Sequence, residues 1–159
     1  MNGTAELGEL DRYLRGIWLE CCGHLSGFWE GKAWSNKEVR MDRLAEQVFN
    51  VGLELVHIYD FGTSSKTLIK VADTRKGKPL SSHPIFLMGR NNPIETLCME
   101  CDKPATSLCV DCMYYPEKAG ALCDEHAETH PHDEYRLMPI VNSPRVGMCG
   151  YSGPAEPPY

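Results

Sequence analysis

No stretch of this chain approaches the roughly 20 consecutive apolar residues that a helix needs to cross a bilayer. The opening residues, MNGTAELGELDRYLRGIW, carry acids where a secretory leader carries bases. Runs of lysine or arginine are missing too: 16 basic residues are scattered among 22 acidic ones, for a net charge of -6, and nothing tracks a phosphate backbone. A glycine-rich phosphate loop and a kinase catalytic loop are also absent. Asp60-Phe61-Gly62, which matches the kinase metal-binding triplet, is therefore expected to be a hairpin turn, with Gly62 supplying the turn and Asp60 capping it. These absences point to a cytoplasmic protein with no membrane association and make nucleic acid a disfavoured partner.

What is there begins with an amphipathic stretch. Leu7, Leu10, Leu14, Ile17 and Cys21 recur at steps of three and four, with Trp18 and Cys22 widening the stripe. This predicts one long helix from about residue 5 to residue 22. Thr4 is its expected N-cap and Gly23 its expected C-cap, and Glu6 and Glu9 suit the positive end of the helix dipole. Next come two short aromatic strands around Glu30-Gly31-Lys32 and a short helix over 41–49. A hairpin of LELVHIYDF with KTLIKVA and a third strand over 84–88 complete the run.

The predicted class is α+β: over residues 1–92, a small sheet covered by one long helix, with the boundary at Asn91-Asn92-Pro93. Residues 93–136 are poor in aliphatic side chains and cannot bury enough apolar surface to offset their ordering entropy, so a metal-stabilised C-terminal module is expected there. Residues 137–151 return to strand-like sequence, expected to pack on the first domain, and 152–159 read as a flexible tail.

Eight cysteines can staple a small secreted domain, but five of these eight lie between 98 and 123 at spacings that suit zinc. The array is Cys98-x-x-Cys101, Cys109-x-x-Cys112, Cys123-x-x-His126 and His130-x-His132. Each pair places two donors on one side of a tight turn and supplies half a tetrahedron. Four pairs make two structural zinc sites with nothing left over. The order of the pairs resembles B-box and ZZ-type zinc modules, in which the first and third pairs hold one metal and the second and fourth the other. That resemblance implies one site of Cys98, Cys101, Cys123 and His126, and another of Cys109, Cys112, His130 and His132. The ten residues between Cys112 and Cys123 leave a sequential pairing open.

The stretch His126-Ala-Glu-Thr-His130 invites a catalytic reading, which the spacing opposes. A metalloprotease has HExxH, with the glutamate beside the first histidine; Glu128 stands two residues along, about 200° around a helix and away from any metal. A deaminase needs a CxxC downstream, and none follows His126. A catalytic zinc also keeps a position open, whereas eight ligands for two ions leave none. Pro131 ends any helix there and biases His130 toward extended backbone, helping His132 turn back.

A second constellation is Cys21, Cys22 and His24, with Cys149, which would suit a thiol-dependent or metal-dependent enzyme. Its ordinary reading is packing, since cysteine on a buried helix face behaves as a small hydrophobe. His57 and His83 stand alone and are expected to be structural or exposed.

At LRGIWLECCGHLSGF and VHIYDFGTSSKTLIKV the chain resembles the plasmid pRiA4b open-reading-frame-three-like family, at Trp18, His24, Leu25 and Tyr59 to Gly62. Thr63, Ser64 and Ser65 stand where that family usually has an acidic residue and a tryptophan. The resemblance implies a helix-and-sheet fold for about the first 90 residues and no particular activity.

The residues thus favour a non-catalytic interaction or adaptor protein with two structural zinc ions, recognising a protein partner. The alternatives are an enzyme working through Cys21, Cys22, His24 and Cys149, and a nucleic-acid-associated zinc module. Against the latter, acids such as Asp102, Asp111, Asp124, Glu125, Asp133 and Glu134 outnumber Lys103, Lys118 and Arg136 around the array.

Overall fold

Leu7, Leu10 and Leu14 form one buried stripe of helix α1 (Leu7–Ile17), and this stripe sets the architecture of the N-terminal part. The computed structural model describes residues 1–20, 23–79, 81–115 and 119–148. The chain is α+β and divides into two units: Met1–Gly16 with Cys22–Arg90, and Asn91–Tyr159 with the segment Ile17–Cys21. Among the described residues no helix is long and apolar enough to cross a membrane.

In the first unit, strands β1 (Ser26–Glu30), β2 (Glu38–Val39), β3 (Glu54–Tyr59) and β4 (Ser65–Lys70) form an antiparallel sheet of order β2-β1-β3-β4. The register pairs Phe28 with His57, Trp29 with Val56, and Val56 with Leu68. Because side chains alternate along a strand, Phe28, Leu55, His57 and Tyr59 share one face, and Trp29, Val56, Ile58 and Leu68 share the other. Helix α1 covers the first face. Asp11 reaches His57 and Ser26, and the Arg15 guanidinium lies 5.0 Å from the Tyr59 ring centre. A one-turn helix, α2 (Ala45–Val48), precedes β3.

The β3–β4 turn depends on Asp60 more than on Gly62. Asp60 takes the left-handed conformation (φ 59°), and its Oδ1 accepts from the backbone N–H groups of Gly62 (2.9 Å) and Thr63 (3.1 Å). Aspartate tolerates that region because its short side chain bonds its own turn.

In the second unit, β5 (Ser107–Cys109), β6 (Ala121–Leu122) and β7 (Leu137–Pro139) form an antiparallel sheet of order β6-β5-β7. A short helix, α3 (Asp124–Glu128), follows β6. Leu19 joins this unit's apolar cluster with Met138 and Val141, flanked by Val110 and Val146. Glu20 pairs with the fully buried Arg145 at 3.4 Å.

Several expectations are corrected. The helix has eleven residues and not the eighteen or so expected, because Leu19, with φ 53°, takes a left-handed backbone that a helix cannot continue through, and its side chain packs with Met138 and Val141. Helix α1 begins after the Glu6–Leu44 bridge, leaving Thr4 outside its first turn, while Gly23 takes a left-handed turn (φ 60°) well past its end. Residues 33–35 form no strand; Trp34 sits in a loop with φ 57°, its ring 4.7 Å from Trp29 and 4.8 Å from Phe61. Residues 84–88 are likewise irregular, with Phe86 and Met88 exposed. Leu137–Pro139 pairs with β5 in the second unit, since Met138 is buried in that unit's own cluster. Residues 149–159, including the expected tail, lie outside the described residues.

Candidate metal centres

The first cluster is built from a turn and the start of a helix. Cys98 and Cys101 occupy a loop closed by the Leu97–Pro104 bridge and by the Cys98 N–H donating to the Lys103 carbonyl at 2.9 Å. The Met99 N–H donates to the Ala121 carbonyl at 2.8 Å and fixes this loop beside β6. Cys123 follows β6 directly and is the N-cap of α3, so His126 lies one turn on, over the same end of the helix. The resulting approaches to His126 Nδ1 are 3.4 Å from Cys98 Sγ, 3.5 Å from Cys101 Sγ and 3.3 Å from Cys123 Sγ, with Cys101 and Cys123 sulfurs 3.9 Å apart.

The second cluster joins the end of β5 to the chain after α3. Cys109 closes the strand, and Cys112 opens a 3-10 turn, Cys112–Tyr114. His130 and His132 flank Pro131 just beyond the helix. Cys109 Sγ lies 3.2 Å from His132 Nδ1, Cys112 Sγ lies 3.4 Å from His130 Nε2 and 3.5 Å from His132 Nδ1, and the two ring nitrogens are 3.1 Å apart. Gly120 makes this packing possible. Its φ is +71°, its carbonyl accepts from the Cys109 N–H at 2.7 Å, and a Cβ there would stand 2.7 Å from the Cys109 carbonyl oxygen.

Each tetrad has its donor atoms within 4.8 Å of one another, and each can hold a metal ion. The donor chemistry fits the expected ion. Tetrahedral zinc bonds of about 2.3 Å to sulfur and 2.0 Å to nitrogen imply edges of roughly 3.8 Å for S···S, 3.5 Å for S···N and 3.3 Å for N···N. The observed 3.9 Å, 3.2 to 3.5 Å and 3.1 Å follow the same order. All five cysteines of the array are free, and four of them are buried.

Charge is crowded at the first cluster. Burial raises the Cys98 thiol, but N–H groups of Cys123, Glu100 and Cys101, with His126, bring its pKa down to about 6. At Cys101 the Lys103 N–H lowers the pKa, yet burial and the neighbouring Cys98 and Cys123 raise it overall. The N–H groups thus favour the thiolate at Cys98 while the neighbouring sulfurs oppose it at Cys101, and a divalent cation among them would offset that opposition. The thiols also form most of one of this unit's two buried clusters: Cys98, Cys109, Cys112 and Cys123 pack with Leu122, which is fully buried.

No protein-family model, curated protein or solved structure matches the chain. The assignment therefore rests on these atoms.

Of the remaining candidates, only His24 lies among the described residues. Cys21, Cys22 and Cys149 lie outside them. His24 is placed by its backbone N–H donating to the Tyr59 hydroxyl at 3.1 Å, with Nδ1 3.4 Å from an Asp60 oxygen. Beside the second cluster a shallow depression is lined by Asp111, Pro131, Asp133, Tyr135 and Arg136, where Arg136 pairs with Asp111 and the Tyr135 hydroxyl donates to Asp133.

One polar site escapes the sequence patterns. His57 is buried and donates Nε2–H to Asp11 Oδ1 at 2.8 Å, and the Ser26 hydroxyl donates to the same oxygen at 2.6 Å. The residue types are those of a hydrolase triad, but the serine bonds the carboxylate and not the imidazole, so no base activates it. The available signal was Asp11 itself, an acid on a buried stripe, which requires partners.

Proposed function

We propose that this is a non-catalytic, cytoplasmic binding or adaptor protein in which two structural zinc ions hold the second unit together. The observation that carries the reading is the closed donor count: three sulfurs and a nitrogen in one cluster, two and two in the other, each complete for a tetrahedral ion. Cys98, Cys101, Cys123 and His126 would hold one ion, and Cys109, Cys112, His130 and His132 the other. Zinc supplies structure here, and binding in comparable modules contributes on the order of 10 kcal/mol to folding. That adds to a small aliphatic cluster around Leu19, Met138 and Val141, while the array's own thiols make up most of the other buried cluster.

The first unit is proposed to be of the plasmid pRiA4b open-reading-frame-three-like kind, on the residues Trp18, His24, Leu25 and Tyr59 to Gly62. The second is proposed to be a relative of B-box and ZZ-type modules, on the order of its ligand pairs. A protein partner fits this reading better than nucleic acid, since the second unit carries 12 acidic residues against Lys103, Lys118, Arg136 and Arg145.

X-ray absorption at the zinc edge tests the structural role. The expected shell is sulfur and nitrogen alone, averaging 2.5 sulfurs per ion from five thiols and two ions. An oxygen ligand from water would open a coordination position and replace this reading with a catalytic one.

A further inference from the structure

Strand β4 ends its sheet with an open edge, and its residues specify what can pair there. The other edge strands are brief: β2 and β6 have two residues and β7 three, against six in β4. The direction of the main chain follows from the ladder. The Val71 N–H donates to the Leu53 carbonyl, whereas the Glu54 carbonyl accepts from Gly31 on the β1 side and the Asp60 N–H donates to Leu25. In an antiparallel sheet each residue points both backbone groups to one side, alternately. Odd-numbered residues of β4 therefore face β3, and Lys66, Leu68 and Lys70 turn their N–H and C=O groups outward. Among the described residues none offers these groups a backbone partner. Residues 72–79 continue exposed and without regular structure.

The side chains of the same three residues share a face with the row Trp29–Val56–Leu68. Leu68 ends that apolar row at the open edge and is 65% exposed. Lys70 already meets its cross-strand neighbour Glu54 of β3 at 3.4 Å. An added strand with an apolar residue beside Leu68 would extend the row, and acids two positions to either side would face Lys66 and Lys70. A second copy of the chain is a poor occupant: antiparallel pairing centred on Leu68 sets Lys66 against Lys70. Edge lysines commonly deter such self-association, and here they also select the opposite charge.

We propose that the β4 edge binds an extended partner segment of the pattern acid-x-apolar-x-acid by strand addition. This goes beyond the metal reading and stands independently of it, because every residue involved lies in the first unit.

The test is fluorescence anisotropy of a labelled Thr-Glu-Thr-Val-Thr-Glu-Thr peptide against the full chain, with a counterpart carrying lysine for glutamate. The acidic peptide should bind saturably and the basic one about tenfold more weakly, as two opposed charge pairs require. The double variant Lys66→Glu with Lys70→Glu should reverse that preference. Leu68→Pro removes the outward N–H while sparing the bonds to β3, a position where an edge strand tolerates proline; it should abolish binding with an unchanged far-ultraviolet dichroism spectrum. If Leu68→Pro fails to fold, the charge reversal decides alone. Absence of saturable binding, equal binding of the two peptides, a preference that survives charge reversal, or a dimer lost on altering β4 would each overturn the proposal.

Discussion

Asp11 lies on the buried stripe of Leu7, Leu10 and Leu14, where a lone carboxylate would be costly. Burial pushes its pKa up, but hydrogen bonds from His57 and Ser26 and the nearby Arg15 outweigh this and hold the carboxyl below its ordinary value. Replacing it by asparagine keeps the shape and removes the charge that His57 meets, and should cost about 1–3 kcal/mol in urea unfolding at neutral pH. The pH dependence has a definite sign. A carboxyl whose folded pKa is depressed contributes fully above its unfolded value of about 3.9 and loses that contribution as pH falls through the lower folded value. The stabilities of the parent and Asp11→Asn should therefore converge as the pH falls into the acid range, and a gap that does not narrow there would refute the depressed carboxyl. Gly120 is the other residue-scale constraint. Gly120→Ala forces a Cβ into both a left-handed backbone and the Cys109 carbonyl, so metal content should fall at the second cluster and persist at the first.

Among the elements, α1 shows where pattern reading works and where it stops. Leu7, Leu10 and Leu14 are legible as a helical stripe because they face one core at the helical period. Leu19 falls off that stripe, five residues past Leu14, and packs with Met138 and Val141 in the second unit, a long-range contact that helical periodicity does not carry. Leu19→Ala should therefore destabilise the second unit by about 2–5 kcal/mol, the range for a buried leucine, read by hydrogen exchange at β5 and β7. Equal loss of protection across β1 and β3 would contradict the division. The hairpin β3–β4 was legible from its alternation and turn residues, whereas residues 84–88 mimic a strand but leave Phe86 and Met88 exposed. The four ligand pairs were visible as spacing alone; their grouping, first with third and second with fourth, is a long-range fact set by β6 leading into α3.

For the molecule as a whole, the account makes metal a condition of the second unit's fold. Removing zinc with a chelator should collapse protection at β5, β6 and β7, with recovery when zinc returns. Single ligand variants should separate the centres: Cys101→Ser and Cys112→Ser should each leave one ion, held by the cluster that was not altered. The most direct measurement is native mass spectrometry of the full chain, weighed before and after chelation and again under denaturing conditions. The account predicts a mass two zinc ions above the bare chain, with all five array thiols reduced once the metal is gone. A bare chain whose thiols are joined in disulfides, or one that holds a single ion shared by members of both tetrads, would contradict it.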